Sequence, residues 1–176
     1  AAARRVFPAA TIGGGTPHFF VQLSRLDDLG AVDFATFTTA SVVHGAQDDE
    51  VMLGLQSLPD MVTSWRARHP SIPLRVGPSS IAARSSPLGA QPVSDGQRRL
   101  ALAAVDPRVR GQFGAAWALG HVAGLAQPGV DAVSLLALRG PHGLVQGTPD
   151  APHRHPAWHV MTAIAPPAQR RSRPRC

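Results

Sequence analysis

The chain has 176 residues, enough for one core, and an apolar content of 44% that is ordinary for a globular domain. All 17 basic residues are Arg, and they are unevenly placed. Residues 1–165 hold 13 of them against 11 acids, whereas Arg170, Arg171, Arg173 and Arg175 crowd the end, so most of the net charge of +6 sits in a tail. This argues against a nucleic-acid partner, which needs basic residues spread along a groove with aromatics for stacking. It also sets domain bounds: residues 1–165 form the folded unit, and residues 166–176, rich in Pro and Arg, are read as a disordered, solvated tail. Cys176 is the only cysteine, so an intrachain disulfide and a cysteine zinc cage are both excluded. A cytoplasmic setting fits that count. No run approaches the ~18 apolar residues of a membrane span, and residues 1–8 lack the apolar core of a signal peptide. The first residue is Ala rather than Met, one reason to read the chain as a fragment.

In chain order, the first strand is expected at either residues 10–13 or 19–23, with Gly13-Gly14-Gly15 as a turn between them; 10–13 is favoured, leaving 19–23 as a short loop element. Short apolar runs with β-branched residues predict further buried strands at 32–38, 74–78 and 130–138. Met52, Leu55, Leu58, Val62 and Trp65 recur at helical spacing. Pro59 interrupts them, which predicts a kink or two successive helices between residues 48 and 68. Asp106 as N-cap and Pro107 at the first position open another helix, buried through Val109, Phe113, Trp117 and Leu125 and closed before Gly129. A last helix is expected at 156–164.

Alternating strands and helices imply a parallel α/β sheet. Four strands make half of a (β/α)8 barrel, which typically takes about 250 residues. The expected fold is therefore a partial TIM barrel, its C-terminal half, with a small open four-stranded α/β sheet as the alternative.

Active sites of such folds form at the carboxyl ends of the strands. The residues there are Gln22, Ser24 and Arg25, then Thr38, Thr39 and His44, then Ser79 and Ser80, then Arg139 and His142. His44 is the candidate general base, beside the acidic run Asp48-Asp49-Glu50; the plainer reading is that it bonds neighbouring backbone. Asp48 and Asp49 read first as helix N-terminal residues. Ser79 and Ser80 follow Gly-Pro, which is not a nucleophile elbow, so their hydroxyls bind substrate or satisfy the turn. Gly13-Gly14-Gly15 lacks the pattern of a phosphate loop, and no cofactor is expected. His153, His155 and His159 have metal-ligand spacing, but in a proline-rich stretch read as mobile, so no metal is expected.

Several motifs carry a family resemblance: Gly13-Gly14-Gly15-Thr16, Phe19-Phe20, Asp33-Phe34, Val43-His44, Asp48-Asp49, Arg75-Val76-Gly77-Pro78-Ser79, Asp106-Pro107-Arg108, Gly111-Gln112-Phe113-Gly114-Ala115-Ala116-Trp117 and Gly129-Val130-Asp131. In this order they resemble the barrel domain of D-apionate lactonases, from about Gly13 to Gly143. The resemblance implies a glycoside-hydrolase-like barrel that opens a sugar-acid lactone by water attack on the ring ester. It points to His44, Asp48 and Asp49 beside the site, with Arg75 and Ser79 on the next strand. One departure is Gln22 and Ser24, where the family favours Glu and Asn, and an amide cannot exchange a proton near neutral pH. The expected substrate binders are Gln22, Arg25, Thr38, Asp48, Asp49, Ser79 and Arg139. With four strands and Gln22, the isolated chain is expected to open lactones no faster than buffer does. A noncatalytic remnant that binds carbohydrate or a partner chain is the alternative, and an exposed barrel edge invites association.

Overall fold

A computed structural model describes residues 2–165, so the tail expected at 166–176 lies outside the described residues. After a short N-terminal helix α1 (Ala2–Val6), strands β1 (Gly13–Gly15), β2 (Phe34–Phe37), β3 (Leu74–Ser79) and β4 (Ala132–Leu135) form one sheet in chain order, every neighbouring pair parallel. An unreversed order favours a barrel arc, because doubly wound sheets turn back at a switch point. The connections carry helices α2 (Phe20–Ser24), α3 (Asp48–Leu53), α4 (Leu58–Arg68), α5 (Gln112–Ala126) and α6 (Pro156–Ile164). A separate antiparallel pair, β5 (Val145–Gly147) and β6 (Pro152–Arg154), precedes α6.

The period of two along the strands decides which face is buried. Ala35, Phe37, Leu74 and Val76 are at most 1% exposed and pack with Leu58, Val62 and Trp65 of α4 and Leu125 of α5. The alternate residues Phe34, Thr36, Arg75 and Gly77 are half-buried or exposed, and the Arg75 guanidinium lies 3.8 Å from the centre of the Phe34 ring. A second cluster joins Trp117 and Ala118 of α5 to Val51 of α3, Ile81, Leu135 and Ala157 of α6.

Several elements differ from expectation. The first strand is Gly13–Gly15 itself, not residues 10–13, and 19–23 becomes the helix α2. The glycines are needed in the strand: a Cβ on Gly13 would enter the Phe34 ring and one on Gly14 would meet Val32. The two successive helices expected around Pro59 are present: a single 3-10 turn at Gly54–Ser57 separates α3 from α4, and Pro59 lies in the first turn of α4, where its missing N–H costs nothing. Val51, not Met52, takes the buried position on α3, because that turn shifts the helical phase. Asp106 caps a 3-10 turn (Pro107–Arg110) through Arg108 N at 2.9 Å, and extended Gly111 then restarts the chain as α5. β4 is shorter than residues 130–138, since Leu136 turns to a φ of 60° and Leu138 is exposed. The proline-rich stretch read as mobile is the hairpin β5–β6, closed by Ala151 N donating to Thr148 O at 3.3 Å.

If the sheet–helix seam carries the stability, Leu74→Ala lowers the unfolding free energy by about 2–5 kcal/mol in urea titrations. A loss well under 1 kcal/mol would show that the seam is loosely packed.

Candidate active site

The chain leaving β2 and the helix α2 that follows β1 border a cavity of about 560 Å³. One wall is the start of α2, with Phe19, Phe20, Gln22 and Arg25; another is the chain leaving β2, from Thr38 to Gly45; Leu55, Leu58 and Met61 close the side toward the helices. Of the residues singled out from sequence, His44, Gln22, Arg25 and Thr38 line this one cavity. Asp48, Asp49, Ser79 and Arg139 do not.

Each of those four has another place. Asp48 accepts from Arg99 at 2.9 Å and Arg108 at 2.8 Å, contacts that hold its carboxyl below the usual range. Asp49 lies exposed in the first turn of α3. Ser79 is fully buried, and its Oγ accepts from Thr39 N at 3.1 Å, so it ties β3 to the end of β2. Arg139 borders a second cavity near β5. Ser24 donates to Val21 O at 3.0 Å within α2, and Ser80 donates to Ala82 O at 2.6 Å. Arg75 lies on the open sheet face over Phe34. Of the three spaced histidines, His153 lies on β6, His155 precedes α6 and His159 is exposed on α6. Among the described residues no three His, Cys, Asp or Glu gather as metal ligands.

The carboxylate that reaches the cavity is that of Glu50. Glu50 Oε2 accepts from Gln47 N at 2.8 Å as half of a capping box, and its carboxylate fills the space beside Gly45 that a Cβ would occupy. A negative charge therefore stands against the residue next to His44 in the chain. The Gln47-x-x-Glu50 spacing is the readable signal for this contact. Thr38 Oγ1 donates toward the carbonyls of Pro17 and His18, at 3.0 and 3.1 Å, anchoring the loop that carries α2.

His121 of α5 also lines the cavity, and only its place four residues after Trp117 in an apolar helix hints at it. It is 1% exposed and its ring centre lies 4.9 Å from that of Trp117. Its Nε2 is 2.8 Å from Thr39 Oγ1, while Nδ1 is buried without a partner. A proton on Nδ1 would strand a buried donor. The network thus assigns the proton to Nε2, which donates to Thr39 and leaves the Thr39 hydroxyl hydrogen free. Burial lowers the His121 pKa to about 4, so the ring is neutral near pH 7.

A parallel β/α unit with a cavity at the carboxyl strand ends has the layout of a barrel enzyme. The chain belongs to the D-apionate lactonase TIM-barrel-domain family, whose pattern matches residues 1–169. A D-apionate lactonase of Brucella anthropi is 40% identical over 149 residues, 84% of this chain but 24% of the relative. The chain thus spans about a quarter of that relative's length. No solved structure matches it. No helix among the described residues is long and apolar enough to cross a membrane.

The buried imidazole makes a pH-dependent stability testable. The ordinary value of 6.5 applies unfolded and about 4 applies folded, so across that interval the unfolded state binds the extra proton. The contribution is complete above the upper value and falls away as pH drops toward the lower one. His142, also held to about 4 by burial and the Arg84 charge, adds to the same slope. His121→Gln should therefore flatten part of the fall in unfolding free energy over this interval, measured in urea titrations. Equal slopes in the two proteins would place the His121 ring in solvent.

Proposed function

We propose that this chain carries one wall of a site that opens a sugar-acid lactone by water attack on the ring ester, with His44 taking the proton from that water. The observation that carries the reading is that His44 and Glu50 line the same 560 Å³ cavity, in a chain belonging to a lactonase family. Ester hydrolysis needs a positioned water, a base and donors for the developing oxyanion. His44 can serve as the base, and Gln22, Arg25, Thr39 and Ser41 supply donors on the same cavity. Phe19, Phe20 and Leu88 offer apolar surface to the ring carbons. A small sugar lactone is the partner of this site. A cytoplasmic setting belongs to the same reading, as does association through the free edges of β1 and β4, whose unpaired backbone groups can template another chain.

Gln22 favours a second reading, carbohydrate binding without turnover, because its amide cannot relay a proton where a carboxyl would.

A chimera separates the two: this chain replaces the matching 149 residues of the Brucella anthropi relative, and hydrolysis of an aldonolactone panel is followed by acid release. The isolated chain should stay at the buffer rate. The chimera should turn over, and His44→Ala should lower its kcat/KM by about 10²- to 10⁴-fold, the usual cost of a lost general base. A folded but inactive chimera that Gln22→Glu restores would select the second reading for the natural chain. Turnover indifferent to His44→Ala would overturn the role given to His44.

A further inference from the structure

The second cavity, about 490 Å³, shares no lining residue with the first. It lies between the loop after β3, at Ser94–Gln97, and the loop after β4 that continues into β5, with Arg110, Arg139 and His155 on its walls. Arg110 Nη2 donates to Gly96 O and Arg139 Nη1 donates to Gly147 O, each at 2.6 Å. Two loops thus fix the guanidinium groups through neutral carbonyls, which orient the forks without neutralising them. Neither arginine has a carboxylate within ion-pair distance among the described residues. Asp95, the carboxylate on the cavity wall, is engaged elsewhere: it accepts from Gln97 N at 2.9 Å and pairs with Arg98 at 3.7 Å.

His155 completes the group. It is 5% exposed, its Nδ1 is buried without a partner, and the His153 ring centre is 5.0 Å from its own. Burial first, then the charges of His153 and Arg110, depress its pKa. Two fixed cations and an imidazole therefore face one polar space, and the carboxylate on its wall, Asp95, pairs with Arg98 rather than with either of them. Like charges held together are unfavourable unless an oxyanion accepts from them, and a planar guanidinium suits the paired oxygens of a carboxylate or phosphate. Gly96, Gly140, Gly143 and Gly147 keep side chains out of the space, while Ser94, Gln97 and Gln146 add groups for ligand hydroxyls.

We propose that this cavity is a second binding site, which takes a small carboxylate- or phosphate-bearing anion between Arg110 and Arg139, with His155 in its wall.

The test uses the full chain, titrated separately with inorganic phosphate and with gluconate, by calorimetry and by histidine NMR. Saturable binding of at least one anion at one per chain, with a shift of the His155 ring signals, is expected. Phosphate alone would identify a phosphoryl ligand, gluconate alone a sugar-acid carboxylate, and both a shared oxyanion site. Arg139 is exposed, so Arg139→Gln should keep the melting temperature in anion-free buffer and weaken binding about tenfold or more, the effect of losing a charge-assisted contact. His44→Ala should leave the affinity unchanged, which separates this site from the lactone site whether or not that site is active. No saturable binding of either anion, equal affinity in Arg139→Gln, or loss of binding in His44→Ala would each overturn the proposal.

Discussion

Strand register in this molecule rests on the burial of Ala35, Phe37, Leu74 and Val76 beneath α4 and α5. A one-residue slip would carry Thr36 and Arg75 under Trp65 and Leu125 and would expose Phe37 to water. Burying an unpaired guanidinium costs far more than the hydrophobic contacts could return. The register is therefore locked, and the loop leaving each strand is locked with it. Thr38 and Thr39 emerge beside Ser79 because β2 and β3 are aligned, and the bond from Thr39 N to Ser79 Oγ records that alignment at the point where the cavity begins. The site's geometry is thus a consequence of packing several residues earlier in each strand.

The same alternation leaves the other face of the sheet to small or polar side chains. Gly13, Gly15, Thr36, Gly77 and Ser134 present little apolar area, and the Phe34 ring is covered by Arg75. A Cβ at Gly77, whose φ is +133°, would run into the backbone of Ser134, so β3 and β4 approach closely there. A face built in this way offers a second layer of helices, with its apolar stripes, little to pack against.

Much of this fold is legible in the sequence because its signals are periodic. The runs at 32–38 and 74–78 contain β2 and nearly all of β3, and Pro59 marks the join of two helices. Gly13-Gly14-Gly15 reads as a turn because glycine has little strand propensity by itself. Its place in β1 depends on the bulk of Phe34 across the ladder, which a local reading cannot contain. The candidate site is legible close to strand ends, at Gln22, Thr38 and His44. It is not legible where tertiary contacts decide: Ser79 is spent on Thr39, Asp48 on two arginines, and His121 arrives from a helix 82 positions away from Thr39.

The arginines show how charge is divided between scaffold and site. Arg4, Arg66, Arg99 and Arg108 pair with Asp33, Asp131, Asp48 and, for Arg108, also buried Asp106. Asp131 accepts both from Arg66 of α4 and from Leu74 N of β3, so one carboxylate joins helix to sheet where β4 begins. Arg84, Arg110 and Arg139 instead donate to the carbonyls of Leu136, Gly96 and Gly147. All three come after β3 or β4 in the chain, which places unbalanced positive charge on loops at the carboxyl edge of the sheet. Such an edge raises the local concentration of anions. Opening a lactone creates a carboxylate, so the charge that the scaffold leaves uncompensated favours the product of the proposed reaction over its neutral substrate.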